Sequence, residues 1–159
     1  QRACKANCVG HELCQLGNAQ FLARANVDHA FIAVMAHEKH QGIRKVVRMT
    51  LHKAGYDVLE AENGAKAIDT INSGENRLLL DVIICDIRMP KVNGIEAIAY
   101  FRHNYPRVPL IVLTGFPDTD MATSLLRQGV VDYLVKPVEG DKLKASVARA
   151  MEQRELAHL

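Results

Sequence analysis

The segment Leu80-Asp-Val-Ile-Ile-Cys-Asp86 is the part of this sequence that decides the fold. Its apolar residues form a nearly continuous run, which is typical of a parallel strand covered by helices on both faces. A carboxylate, Asp86, stands where that run ends. Four other short apolar runs are predicted strands, and they cover residues 31–36, 57–60, 109–114 and 131–135.

Longer segments with helical periodicity lie between these runs and after the last of them. They cover residues 43–54, 65–72, 95–104, 118–128 and 141–153. Gly55 follows the first segment, where a helix end favours a residue of positive φ. The alternation predicts an α/β fold, a doubly wound five-stranded parallel sheet with helices on both faces. Residues 1–29 lack the alternation, so we expect an N-terminal extension followed by one domain over residues 30–157.

The composition is that of an ordinary globular protein, with 48% hydrophobic and 24% charged residues among 159. Twenty basic and 18 acidic residues give a net charge of +2, which does not favour binding to nucleic acid or to a membrane surface. The apolar runs are far shorter than the roughly 20 residues of a membrane span. Four cysteines are too few for a disulfide scaffold, and we expect a reducing cytoplasmic location.

Three of the four cysteines lie in the extension, close to a histidine. Cys4, Cys8, His11 and Cys14 are residue types that bind zinc. The first three also have the spacing of one face of a short helix. We expect a loosely held extension, with a zinc site as the alternative.

Polar residues follow the predicted strands at their carboxyl ends, where open parallel sheets place their ligands. Glu38 and Lys39 follow the first strand, Asp86 the third, Thr114 the fourth and Lys136 the fifth. Carboxylates, a hydroxyl and ammonium groups together are typical of a metal-assisted phosphate site. Asp86 would serve there as a nucleophile toward phosphorus, although a lone aspartate at a strand end is more often a turn residue.

Three segments resemble the receiver domains of two-component response regulators, of which the chemotaxis response regulator is the single-domain example. They are Asp86-Ile-Arg-Met-Pro-Lys-Val-Asn-Gly94, Leu110-Ile-Val-Leu-Thr-Gly115 and Val131-Asp-Tyr-Leu-Val-Lys-Pro137. The resemblance extends over roughly residues 30–155. It implies a flavodoxin-like fold of the receiver type, with a cis peptide bond between Lys136 and Pro137.

The resemblance also implies a role for each site residue. Asp86 would be phosphorylated, Lys136 would balance its charge, and the Thr114 hydroxyl would bond to the acyl phosphate. Tyr133 would be the aromatic switch residue. Arg88 would lend its backbone carbonyl to the metal, so its side chain is given no part.

The sequence departs from the family at the first strand, where receivers have two adjacent acids that hold Mg²⁺. An ungapped alignment places Glu38 and Lys39 there, and a shifted one places His37 and Glu38. Mg²⁺ would then be held by Glu38, Asp86 and the Arg88 carbonyl, and Lys39 would weaken its binding. The alternative is that Lys39 replaces part of the metal's charge, in a metal-poor or phosphorylation-independent receiver.

The function expected from the resemblance is phosphoacceptance from a histidine kinase or phosphotransfer protein. The surface formed by the fourth helix, the fifth strand and the fifth helix would then bind a downstream protein or a second copy, without direct contact with nucleic acid or membrane. The alternative is a constitutive interaction module with a Lys39–Asp86 salt bridge. We do not expect an enzyme, because phosphatases with a similar aspartate have a second acid where this chain has Arg88. The chain ends soon after the last predicted helix, so we expect a stand-alone receiver or one excised from a longer regulator or hybrid kinase.

Overall fold

A computed structural model describes residues 30–36, 41–74, 76–88 and 94–157 of the chain. Its five strands form one parallel sheet in the order β2-β1-β3-β4-β5. The strands are β1 (Phe31–Met35), β2 (Asp57–Ala61), β3 (Leu80–Asp86), β4 (Leu110–Thr114) and β5 (Asp132–Val135). All five predicted strands are therefore confirmed, with bounds that differ by one residue at most at either end.

Five helices connect or follow these strands in the described part of the chain. They are α1 (Gln41–Lys53), α2 (Gly64–Asn72), α3 (Gly94–Asn104), α4 (Thr119–Arg127) and α5 (Gly140–Ala157). A single helical turn, Asn76–Leu79, precedes β3 and was not predicted. Four residues are too few to show a helical period, so the sequence pattern carries no signal for this turn.

The two faces of the sheet bury two separate apolar clusters. Ile83 and Cys85 of β3 belong to a cluster with residues of α2, α3 and α4. Val82 and Ile84 belong to a cluster with residues of α1 and α5. Since successive side chains of a strand point to opposite faces, one continuous apolar strand supplies both cores. The prediction of a doubly wound sheet is confirmed.

Local signals fix where the helices end. Gly55, the second residue after α1, has a φ of +90°, as predicted from its position. The Asn63 side chain caps α2 by accepting a hydrogen bond from the backbone N–H of Lys66 at 2.9 Å. Gly55 therefore ends the segment that leads from α1 into β2, and Asn63 starts α2 after β2.

A buried arginine holds the last helix against the amino end of the sheet. Arg154 of α5 is buried and donates a hydrogen bond to the Leu80 carbonyl. Its Nε lies 2.9 Å from the carboxylate of Asp81, which also accepts a hydrogen bond from the Phe31 N–H at 2.9 Å. This contact ties α5 to β1 and β3 at the edge opposite the predicted site.

Several predictions fall outside the described residues. They concern the extension over residues 1–29 with Cys4, Cys8, His11 and Cys14, and the segment that contains His37, Glu38 and Lys39. The domain bounds at residues 30 and 157 also stay a prediction. Within the described ranges, no helix combines the length and the apolar character that crossing a membrane requires.

Candidate functional site

Asp86 is the last residue of β3, the central strand of the sheet. Its side chain is only 1% exposed. A carboxylate loses favourable hydration when it is buried, so its charge requires compensation from nearby groups. The groups around Asp86 therefore decide what it can do.

Lys136 compensates the charge of Asp86. It follows β5, and its backbone N–H donates to the Thr114 carbonyl at 2.7 Å, which continues the pairing of β4 with β5. Its Nζ donates to Oδ2 of Asp86, and its side chain is 9% exposed. The peptide bond between Lys136 and Pro137 is cis, as the resemblance implied. The structure thus brings together two residues that are 50 positions apart.

The other oxygen of Asp86 is held by the backbone. Oδ1 accepts a hydrogen bond from the Arg88 N–H at 3.0 Å. Both oxygens of the carboxylate therefore have donors, one of them a charged ammonium group, and these hydrogen bonds fix its orientation. An oriented carboxylate at a strand end is a suitable nucleophile.

Gly94 closes the loop that follows Asp86. Its N–H donates to the Ile87 carbonyl at 3.0 Å. A Cβ at this position would lie 2.4 Å from Cα and O of Ile87 and 2.6 Å from the carbonyl oxygen of Asp86. The start of α3 thus lies directly against the backbone after β3, and glycine is required for this close approach.

Thr114 and Tyr133 both direct their hydroxyls to the loop after β4. Oγ1 of Thr114 donates to the Phe116 carbonyl at 3.1 Å and accepts from the Phe116 N–H at 3.2 Å. The Tyr133 hydroxyl donates to the same carbonyl at 3.5 Å and accepts from the Asp118 N–H at 3.4 Å. The structure therefore places both predicted residues at the same edge of the sheet as Asp86, and it links them through Phe116.

The end of β1 is apolar in the described part of the chain. Met35 pairs with Cys85 in the sheet, so Ala36 comes level with Asp86. Both Met35 and Ala36 are fully buried. The position beside Asp86 on the neighbouring strand therefore carries a methyl group, and Glu38 comes two residues later.

The oxygen donors at Asp86 fit part of a Mg²⁺ site. The Asp86 carboxylate and the Arg88 carbonyl are the hard oxygen ligands that Mg²⁺ prefers. Among the described residues, no three His, Cys, Asp or Glu side chains come together to hold a metal ion. Glu38, the third predicted ligand, lies outside those residues, so the donor set here is partial.

Cys85 is adjacent to Asp86 in the chain but points into the core. Complete burial and, to a smaller extent, the charge of Asp86 raise the pKa of its thiol from 9.0 to about 12. The thiol is therefore neutral at physiological pH and is not a candidate nucleophile.

One contact between two loops of the site was not predicted from the sequence. The guanidinium carbon of Arg88 lies 3.8 Å from the centroid of the Phe116 ring, in a cation–π arrangement. The two residues are 28 positions apart and follow different strands. Neither residue belongs to a local sequence pattern that includes the other, so the sequence could not have paired them.

Comparison with known proteins agrees with this geometry. The family model for the response regulator receiver domain matches residues 34–148. The DNA-binding transcriptional regulator NtrC of Escherichia coli K12 is 36% identical over 109 residues, which are 69% of this chain and 22% of that protein. The transcriptional regulatory protein ZraR of Klebsiella oxytoca is 30% identical over 112 residues, or 70% of this chain and 24% of that protein. The chain thus spans about a quarter of the length of these relatives.

Solved structures share the fold over most of the described chain. A response regulator receiver domain protein from Clostridium thermocellum has a TM-score of 0.72 and 28% identity, covering 80% of this chain and 98% of that one. The chemotaxis protein CheY4 from Vibrio cholerae has a TM-score of 0.68 and 27% identity, covering 77% and 98%. The resemblance noted in the sequence is confirmed. This chain belongs to the receiver domains of two-component response regulators, signalling domains whose standard function is to accept a phosphoryl group.

Proposed function

We propose that Asp86 is the residue that accepts the phosphoryl group, from a phosphohistidine of a histidine kinase or phosphotransfer protein. The observation that carries this proposal is the buried Asp86 carboxylate, held between the Lys136 ammonium group and the Arg88 N–H. These donors orient the carboxylate at the edge of the sheet where ligands bind.

The transfer is a direct displacement at phosphorus. One carboxylate oxygen of Asp86 forms a bond to phosphorus while the phosphorus–nitrogen bond breaks, and the imidazole nitrogen of the donor keeps the electron pair. The product is an acyl phosphate with close to two negative charges. Lys136 can then direct its ammonium group to a phosphoryl oxygen, and this charge-assisted hydrogen bond stabilises the product.

Receiver domains generally bind Mg²⁺ in their acidic pocket, and the ion supplies charge neutralisation for the phosphoryl group. In this chain, Glu38, the Asp86 carboxylate and the Arg88 carbonyl would hold it. Lys39 adds a positive charge next to Glu38, which weakens binding of the cation. We therefore expect a higher Mg²⁺ requirement than two acids would give.

The apolar end of β1 favours a second candidate function. With Ala36 level with Asp86, the neighbouring strand offers no carboxylate at that position. Lys39 would then contribute positive charge to Asp86 in place of the metal. Such a receiver would act as a phosphorylation-independent interaction module.

The proposed output is a change in the face formed by α4, β5 and α5. Thr114 would turn its hydroxyl from Phe116 to the phosphoryl group, and Tyr133 would move inward with it. Leu126 and Val135 are 49% and 43% exposed on this face. We propose that the face binds a downstream protein or a second copy of the chain, in the cytoplasm and without direct contact with nucleic acid.

The test is the intact mass of the protein after incubation with acetyl phosphate over a series of Mg²⁺ concentrations. We expect one phosphoryl adduct on the wild type and none on Asp86→Asn. Asp69→Asn, which changes an exposed aspartate of α2, is the matched control and should behave like the wild type. Lys39→Asp should form the adduct at lower Mg²⁺ concentration.

Each outcome separates the two candidate functions. An adduct that requires both Asp86 and Mg²⁺ supports the metal-assisted receiver. An adduct that requires Asp86 but not Mg²⁺ would mean that Lys39 and Lys136 compensate the charge of the phosphoryl group without the metal. If no adduct forms at any Mg²⁺ concentration, phosphoacceptance is wrong and the constitutive interaction module remains.

A further inference from the structure

Phe116 is a large aromatic residue in an exposed loop, and its ring contacts Arg88. Its side chain lies in the connection between β4 and α4 and is 61% exposed. The Arg88 guanidinium covers one face of the ring at 3.8 Å, well within the roughly 6 Å over which a cation–π attraction acts. The ring thus has a specific partner on the neighbouring loop.

The backbone of Phe116 holds the Thr114 hydroxyl. It donates one hydrogen bond to Oγ1 and accepts another from it, at 3.2 and 3.1 Å. Its carbonyl also accepts the longer bond from Tyr133. One residue therefore connects the Arg88 side chain with both hydroxyls that the proposed switch uses.

Arg88 is in turn fixed to Asp86. Its backbone N–H donates to Oδ1 at 3.0 Å, while its side chain reaches across to the loop after β4. The Arg88–Phe116 pair therefore bridges the two loops that follow β3 and β4.

We propose that the Arg88–Phe116 pair restrains Thr114 in its orientation toward Phe116 and so opposes the phosphorylated state; this rests on the function proposed for Asp86. Thr114 can turn toward a phosphoryl group only by giving up both hydrogen bonds to the Phe116 backbone. The loop is then free to move, the ring leaves Arg88, and the guanidinium becomes available to pair with phosphoryl oxygens. Arg88 and Phe116 are thus positioning residues.

The pair is first tested in the unmodified protein. The chain contains no tryptophan, so Phe116→Trp introduces a single indole at this position. Its emission and its quenching by acrylamide are compared with those of Phe116→Trp/Arg88→Gln. Phe116→Trp/Arg107→Gln is the matched control, because Arg107 is an exposed arginine shortly before β4, at the opposite edge of the sheet. We expect the emission and the quenching of the indole to change with Arg88→Gln and to stay the same with Arg107→Gln. Identical spectra for all three would overturn the proposal.

The coupling to Thr114 is tested at limiting acetyl phosphate. Phe116→Leu, which removes the aromatic face, should raise the phosphorylated fraction relative to the unphosphorylated one about two- to fivefold, the strength of an exposed cation–π contact. Phe116→Tyr keeps the aromatic face, so its ratio of phosphorylated to unphosphorylated protein should equal that of the wild type. Equal ratios in all three proteins would overturn the coupling.

The two tests separate this proposal from the function of Asp86. If Phe116→Trp responds to Arg88→Gln but no protein forms an adduct, the function proposed for Asp86 fails, and the coupling fails with it, whereas the pair itself stands. If Phe116→Trp forms the adduct and its indole emission is the same before and after phosphorylation, phosphoacceptance stands and the coupling to Thr114 is wrong.

Discussion

Replacing Gly94 with alanine tests the closest backbone approach at the site. The added Cβ would lie 2.4 Å from Cα and O of Ile87 and 2.6 Å from O of Asp86, whereas ordinary contacts begin at 3.4 Å. All three atoms belong to the backbone, so no side chain can rotate away. The first turn of α3 and the residues after β3 must separate by about 1 Å, the difference between these distances.

The expected cost follows from this displacement. Forcing an extra methyl group into a packed contact costs about 1–3 kcal/mol. The same movement stretches the 3.0 Å hydrogen bond from the Gly94 N–H to the Ile87 carbonyl, which contributes about 1 kcal/mol. We therefore expect Gly94→Ala to lower the free energy of unfolding by about 2–4 kcal/mol. Because Asp86 lies against the displaced helix, the rate of phosphorylation by acetyl phosphate should also fall.

The assay is urea unfolding followed by far-ultraviolet circular dichroism. Gly115→Ala is the matched control, since its Cβ would meet no atom within 4 Å although it lies next to Thr114. The free energy of unfolding of this control should stay within about 0.5 kcal/mol of that of the wild type. If Gly94→Ala is as stable as Gly115→Ala, α3 does not pack this closely against the end of β3.

Two further predictions concern the buried groups of β3. Lys136→Met should lower the free energy of unfolding by about 3–5 kcal/mol, because it takes the ammonium group away from a carboxylate that is 1% exposed. In the Asp86→Asn background Lys136→Met should lower the free energy of unfolding by less. Strictly additive losses in urea unfolding would contradict an interaction between Lys136 and Asp86. The Cys85 thiol, whose pKa is raised from 9.0 to about 12, should react with iodoacetamide at pH 8 about a thousandfold more slowly in the folded protein than in urea, as followed by peptide mass. Equal labelling rates in the folded protein and in urea would contradict the burial of this thiol. The folded chain also holds the thiol proton more tightly than the unfolded chain, so the free energy of unfolding should fall as the pH rises from 9 toward 12. This fall should be smaller in Cys85→Ala.

Much of the fold was predictable because its signals are local. The continuous apolar run that ends at Asp86 indicates a strand covered on both faces, and the alternation of strands and helices indicates the parallel sheet. The single turn Asn76–Leu79 was missed because it is shorter than the pattern that identifies a helix. The edge at which Asp86, Thr114 and Lys136 meet was also predictable, because parallel strands bring their carboxyl ends together.

Only the tertiary structure decided which atoms meet at that edge. The register of β1 against β3 places Ala36, and no acid, level with Asp86. The contact of Arg88 with Phe116 and the approach of Gly94 to Ile87 depend on how loops and helices pack against one another. The sequence by itself determined the strands, their character and the chemistry at their ends, since each of these depends on neighbouring residues. Register and side-chain contacts depend on segments far apart in the chain, so they became defined only when the sheet and its helices had packed.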